Sequence, residues 1–173
     1  RTLIGCNRVL SFSLGGLSKS AGMPQMKLAW IALNGGAEIR SEVRQRLELL
    51  LDTYLPVATP VQNALGELLA IGADFSRQIA SRIERNRAAL RDILKDTPVH
   101  VLHTEGGWSA ILQLPNMWGE EAWMAELIAR QHMLVQPGYF FDMPSEPFAV
   151  VSLLTPENAF TEGIRRLREV TPK

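Results

Sequence analysis

The stretch Ser13-Leu14-Gly15-Gly16-Leu17-Ser18-Lys19-Ser20-Ala21-Gly22-Met23-Pro24 sets a lysine in a glycine-rich loop between two apolar runs. Residues 8 to 14 read as a short buried strand. Leu28-Ala29-Trp30-Ile31-Ala32-Leu33 reads as a second, ended by Asn34-Gly35-Gly36. Near-continuous apolarity in both suits a sheet covered on both faces. Two chemistries use a lysine placed this way. A phosphate-cradling P-loop needs glycine directly before the lysine and another five positions earlier. Those positions hold Ser18 and Ser13, so that reading fails at both.

The second chemistry is a Schiff base. An amine must be neutral to attack a carbonyl, and partial desolvation beside other cations favours the neutral form. A pyridoxal cofactor also brings a phosphate dianion, whose oxygens call for backbone N–H groups, hydroxyls and a fixed cation. Ser18 offers the hydroxyl, and Lys27, read as opening the second strand, offers the cation. Against this stands the ordinary reading of a lysine among glycines, a solvated side chain on a flexible loop. The residues alone leave both open.

Outward from the loop the periodicity turns helical. Ile39, Val43, Leu47, Leu50 and Leu51 form one stripe, with Glu42 and Arg46 paired on the other side. Pro56 and Pro60 bracket a break, after which the pattern predicts a helix over about 60–70 stopped by Gly72. A longer helix follows over about 74–95, with Phe75, Ile79, Ile83, Leu90, Ile93 and Leu94 inward and Arg77, Arg82, Arg85 and Arg91 outward. Beyond Pro98 the pattern predicts strands at 99–102, 108–114, 133–135 and 148–154, and a helix around 119–131. In the final helix Thr155 is the expected N-cap, Pro156 the first helical residue, and Phe160, Ile164 and Leu167 the buried face.

Composition narrows the function. The chain has 173 residues, 46% of them apolar and 21% charged, enough for a sizeable core. Eighteen acidic and eighteen basic residues cancel, so no concentrated positive field argues for nucleic acid or an anionic membrane surface. The run Leu28–Leu33 is too short to span a bilayer. A single cysteine, Cys6, read as a small buried residue, excludes an internal disulfide and makes the cytoplasm the default location. His100 and His103 point to opposite faces of an expected strand, and His132 is distant in sequence, so no metal is expected. Trp108, Trp118 and Trp123 read as core or interface aromatics. The chain opens at Arg1 and enters an apolar stretch within a few residues, as a piece of something longer would.

Leu17-Ser18-Lys19-Ser20-Ala21-Gly22-Met23-Pro24-Gln25-Met26-Lys27-Leu28-Ala29-Trp30 resembles the lysine motif of class I and II aminotransferases. That motif runs Ser-x-Ser-Lys-x-x-Gly-x-Pro-Gly-x-Arg-x-Gly, followed by an aromatic residue. Ser18, Lys19, Gly22, Pro24 and Trp30 match it without gaps. Asn86-Arg87 in a long helix, Gly106-Gly107-Trp108 before a strand and Val135-Gln136-Pro137-Gly138 extend the resemblance along the chain. It implies an α/β fold: the end of the pyridoxal-phosphate-transferase large-domain sheet over 1–55, connecting helices over 56–95, and the smaller α+β C-terminal domain over 96–173. It implies pyridoxal 5′-phosphate as cofactor, held as an aldimine by Lys19, which then acts as general acid and base. Ser18 and Lys27 would bind the phosphate. The partners implied are a small-molecule amino donor, a 2-oxo acid acceptor and a second copy in a homodimer.

Three departures qualify the resemblance. The family's hydroxyl three residues before the lysine is Gly16, and its arginine eight residues after is Lys27, a point charge without the bidentate fork. The arginine that clamps the substrate carboxylate in the last strand is Val150. The aromatic run Tyr139-Phe140-Phe141 lies nearby in sequence and either shapes a substrate pocket or packs the small domain. The acid that pairs the pyridine nitrogen and the aromatic that stacks on the ring precede the lysine in the family, upstream of Arg1. A chain beginning there would hold cofactor weakly or not at all, and would be inactive alone. A carbon–sulfur lyase or decarboxylase using the same chemistry is the enzyme alternative. An aminotransferase-like effector domain behind a DNA-binding head is the non-enzyme one.

Overall fold

The computed structural model describes residues 3–143 and 147–171. Contacts divide the chain into two compact units, the first ending at Gln78 and the second beginning at Ile79.

In the first unit, β1 (Ser11–Gly16) and β2 (Ala29–Asn34) pair antiparallel, with Ser11 opposite Asn34 and Gly16 opposite Ala29. The lysine lies between them on a one-turn helix, α1 (Leu17–Ser20), followed by a 3-10 turn, Pro24–Met26. Four residues cannot hold a helix unaided. What holds α1 is burial: Leu17, Ala21, Met23 and Leu28 form a small core, and Met26, Trp30, Val57, Val61, Leu65 and Leu68 pack around it. Trp30 lies across Gly15, its cross-strand partner, where any side chain would overlap the indole.

Two expectations change here. Only two strands are present, and Phe12, Leu14 and Ile31 are exposed, so this sheet is not covered on both faces by the described residues. Likewise α2 (Ala37–Asp52) forms where its periodicity predicts but buries none of its residues. Amphipathic spacing shapes the helix, and of its stripe Val43 and Leu47 are half-buried while Ile39, Leu50 and Leu51 are exposed.

Beyond α3 (Thr59–Asn63), helix α4 runs unbroken over Leu65–Leu94. Gly72 therefore does not stop a helix. A methyl there would overlap the Ala21 side chain and lie 3.0 Å from its Cα, so glycine is retained inside the helix because α1 packs against it.

The second unit carries a four-stranded antiparallel sheet in the order β3-β4-β6-β5: β3 (His100–Val101), β4 (Ser109–Gln113), β5 (Gln136–Pro137) and β6 (Phe148–Ser152). The end of α4, α5 (Glu120–Ala129) and α6 (Glu157–Val170) bury Leu90, Leu94, Trp123, Leu127, Phe160, Ile164 and Leu167 against it. Trp118 meets Trp123 edge-on at 4.8 Å. The short strand expected at 133–135 falls instead at Gln136–Pro137, because only those residues pair with Val150 and Ala149. Thr155 does not cap α6. Its hydroxyl donates to the Ser152 carbonyl, and Pro156 takes the N-cap position.

Asn86 is the buried polar residue of α4, 1% exposed, and its amide donates to the carbonyls of Leu153 (2.9 Å) and Thr155 (2.8 Å). Arg82 donates to Leu154, and Arg85 pairs with Glu157 at 2.8 Å. That hydrogen bond holds the Glu157 carboxyl below its usual range and raises the guanidinium of Arg85. The turn leaving β6 is thus tied to α4 at four successive or near-successive residues. Cys6, expected to be buried, is half-exposed.

Candidate functional site

The lysine loop is closed at its base. Leu17 N–H donates to the Leu28 carbonyl at 3.0 Å, extending the β1–β2 ladder by one rung. Ser18 and Lys27 are the next residues outward from that rung, so both stand at the same end of the hairpin as Lys19. Within the loop the N–H groups of Ala21 and Met23 both donate to the Leu17 carbonyl. Gly22, at φ +65°, makes the reversal that sends the chain back. Ser18 is half-buried; Lys19 and Lys27 are exposed.

Lys27 does not open the strand as expected. It closes the 3-10 turn at φ 52°, ψ 37°, in the left-handed region, and β2 begins two residues later. That conformation costs a non-glycine residue about 1 kcal/mol. It is held there because Met26 and Leu28 on either side pack into the small core.

Gly16 has a structural reason. A Cβ there would lie 3.0 Å from the Leu28 carbonyl oxygen and 3.2 Å from both the Cα and the Cβ of Ala29. The motif has serine at this position and glycine opposite; this chain has glycine here and Ala29 opposite. Ser20 does not replace the missing donor, since its hydroxyl donates to the Gly16 carbonyl at 2.5 Å.

In the second unit, Val150 is 6% exposed on β6, between Ile111 of β4 and Gln136 of β5. It borders a cavity of about 560 Å³ whose other walls include Ser109, Ser152, Met133 and Arg166. The Arg166 guanidinium is engaged by Glu162 at 2.9 Å and by the Gln131 carbonyl at 3.1 Å. Tyr139, Phe140 and Phe141 form an exposed 3-10 turn, with the first two rings edge-to-face at 5.0 Å.

Sequence reading missed the residues that set these elements in place. Glu120 accepts from Tyr139 N–H (2.9 Å) and Phe148 N–H (2.7 Å), so one carboxylate joins the aromatic turn to the start of β6. Gly72 and Ser76 of α4 contact α1, with the Ser76 hydroxyl donating to the Ser20 carbonyl at 2.9 Å. The i,i+4 spacing of two small residues was the available signal for the second pair. Glu120 had none, because its partners are backbone amides. Among the described residues no group of three or more His, Cys, Asp or Glu could hold a metal, and no helix is long and apolar enough to cross a membrane.

Lys19 thus stands on a braced turn, with the Ser18 hydroxyl and the Lys27 ammonium on residues at the same end of the hairpin. The chain belongs to the aminotransferase class I and II family, whose model matches residues 5–165. No curated protein matches the sequence. Among solved structures, alanine aminotransferase from Pyrococcus furiosus superposes with a TM-score of 0.74 at 18% identity, over 94% of this chain and 42% of that one. Aromatic aminotransferase from Pyrococcus horikoshii gives 0.73 at 17%, over 92% and 42%. Cystalysin from Treponema denticola, whose structure contains pyridoxal 5′-phosphate, gives 0.73 at 16%, over 91% and 40%. These likenesses show the fold: a mixed α/β part of the pyridoxal-phosphate-transferase fold. The chain spans about two fifths of each structure's length.

Pyridoxal 5′-phosphate is the cofactor of this family. Lys19, Ser18 and Lys27 offer an amine, a hydroxyl and an ammonium, groups whose chemistry fits an aldehyde and a phosphate dianion.

Proposed function

We propose that this chain is the C-terminal part of a pyridoxal-phosphate-dependent aminotransferase that moves an amino group between an amino acid or amine and a 2-oxo acid, with Lys19 as its cofactor lysine. On this reading residues 1–55 end the large domain, 56–95 connect, and 96–173 form the small domain of a cytoplasmic homodimer. The observation that carries it is the closed loop on which Lys19, Ser18 and Lys27 stand together, inside the matched segment.

When bound, the cofactor supplies an electron sink for the bond broken at the substrate carbon. Ser18 Oγ would donate to the phosphate, and Lys27 Nζ would supply charge without a bidentate fork. Lys19 Nζ would hold the cofactor covalently and, once released, would take the proton from the substrate carbon and deliver it to the cofactor carbon. The 173-residue chain alone holds the cofactor weakly and turns over no substrate.

Borohydride reduction of the chain with pyridoxal 5′-phosphate, followed by peptide mapping, tests this. The expected result is a covalent label on Lys19 that Lys19→Ala abolishes. Labelling spread evenly over the lysines would sink the assignment.

A second reading rests on Val150. A buried valine offers a carboxylate nothing, and the guanidinium of Arg166 is already engaged. This favours a donor without an α-carboxylate over ordinary amino acids. An amino-donor screen on a chain complemented to full length separates them.

A further inference from the structure

We infer that Gly72 and Ser76 are positioning residues for Lys19: helix α4 serves as the template that fixes the lysine turn. The inference rests on the reading of Lys19 as the cofactor lysine and adds residues far from it in sequence.

Helix α1 is a single turn and has no stability of its own. Its direction must come from contacts, and three converge on its C-terminal end. Ala21, 1% exposed, sits against Gly72 so closely that a methyl on Gly72 would overlap it. The Ser76 hydroxyl donates to the Ser20 carbonyl, one of the carbonyls that a helix end leaves without an internal partner. Ser20 in turn reaches back to the Gly16 carbonyl. Gly72 and Ser76 are four residues apart, so they lie on one face of α4 and grip consecutive residues, Ala21 and Ser20.

Lys19 is the residue directly before that grip. Its side chain leaves a backbone whose following carbonyl and following Cβ are both fixed by α4. A glycine inside a 30-residue helix is disfavoured relative to alanine, as is serine, and neither is explained by α4 itself. Both are explained by close approach and a hydrogen bond to the lysine turn. Covalent capture depends on where Nζ sits, and small displacements of a reacting group carry large rate penalties.

The test uses the 173-residue chain and two probes. The first is pyridoxal 5′-phosphate with borohydride, read as the half-saturating concentration and the limiting rate of Lys19 labelling. The second is a general acylating reagent, read as labelling of Lys19 relative to Lys95, which α4 carries into a separate turn. Ser76→Ala is expected to lower the limiting rate roughly three- to tenfold, the effect of one neutral hydrogen bond, with little change in half-saturation. Gly72→Ala should lower it further, and Ser76→Thr, which keeps the hydroxyl, should restore it. The Lys19-to-Lys95 acylation ratio should change in Ser76→Ala and return in Ser76→Thr.

If wild-type chain takes no cofactor at Lys19, the functional reading fails, and the acylation ratio alone decides the positioning role. An unchanged ratio in Ser76→Ala overturns the inference whatever the cofactor does. So does an equal loss in Ser76→Ala and Ser76→Thr, because the hydroxyl would then not be the cause. Should Gly72→Ala fail to fold, the two Ser76 variants still settle the question.

Discussion

Gly16 and Ala29 face each other across the two strands that flank the lysine loop, and the space between them is too small for two side chains. Gly16→Ser would press a Cβ against the Leu28 carbonyl and Ala29. The expected cost is about 1–3 kcal/mol, typical of overpacking. The pair Gly16→Ser with Ala29→Gly should recover part of it, since one of the three close neighbours disappears. Urea denaturation of the three proteins checks this; equal stability of single and double variants would show that the strands separate freely. At this scale the sequence was most legible at Gly22, whose residue type the positive φ of the turn requires. It was least legible at Lys27. Nothing in a lysine codes for a left-handed backbone, which here is imposed by the burial of its two neighbours.

At the scale of elements, α4 shows how tertiary contact overrides local signals. Gly72 has the appearance of a stop signal, yet the helix continues because removing a side chain admits α1. Thr155 and Pro156 form a sound capping pattern, displaced by one residue because the Thr155 hydroxyl is drawn to Ser152. The periods that predicted α5 and α6 held, since each has a core to face. Asn86 ties α4 to the turn after β6, and its loss would leave two carbonyls without their donor. Asn86→Ala should therefore destabilise the second unit by about 2–3 kcal/mol. Asn86→Asp should be no better, because a carboxylate cannot donate. Denaturation followed by the fluorescence of buried Trp123 measures both, and a loss below about 0.5 kcal/mol would show the bonds to be dispensable.

Over the whole molecule, apolar surface is distributed unevenly. Leu14, Leu49, Tyr54 and Leu55 of the first unit are 79%, 70%, 77% and 97% exposed, while the second unit buries a continuous core. Two-stranded sheets are marginal in water, and exposed apolar side chains in this number call for a covering layer. The family structures extend well beyond the length matched here, consistent with such a layer. In dilute buffer the chain is expected either to self-associate or to enhance an apolar dye, with Leu55→Glu reducing the effect. A monodisperse chain silent to the dye would show that this face is covered by the chain itself. The composition could not reveal this asymmetry, because it averages a complete core with an open one. The α/β class was legible from periodicity. Which stripes find partners was not, for periodicity reports a helix's apolar side and says nothing of what lies over it.

The contact between positions 16 and 29 also bears on descent. A serine at one and an alanine at the other cannot be seated together without the strands giving way. Any mutational route between the family's serine–glycine pairing and the glycine–alanine pairing of this chain runs most easily through glycine at both. A serine at position 16 is seated more easily while position 29 is glycine than after it has gained a methyl. Once the methyl is in place, the hydroxyl cannot simply return. The two positions are therefore expected to be coupled, each setting the room left to the other.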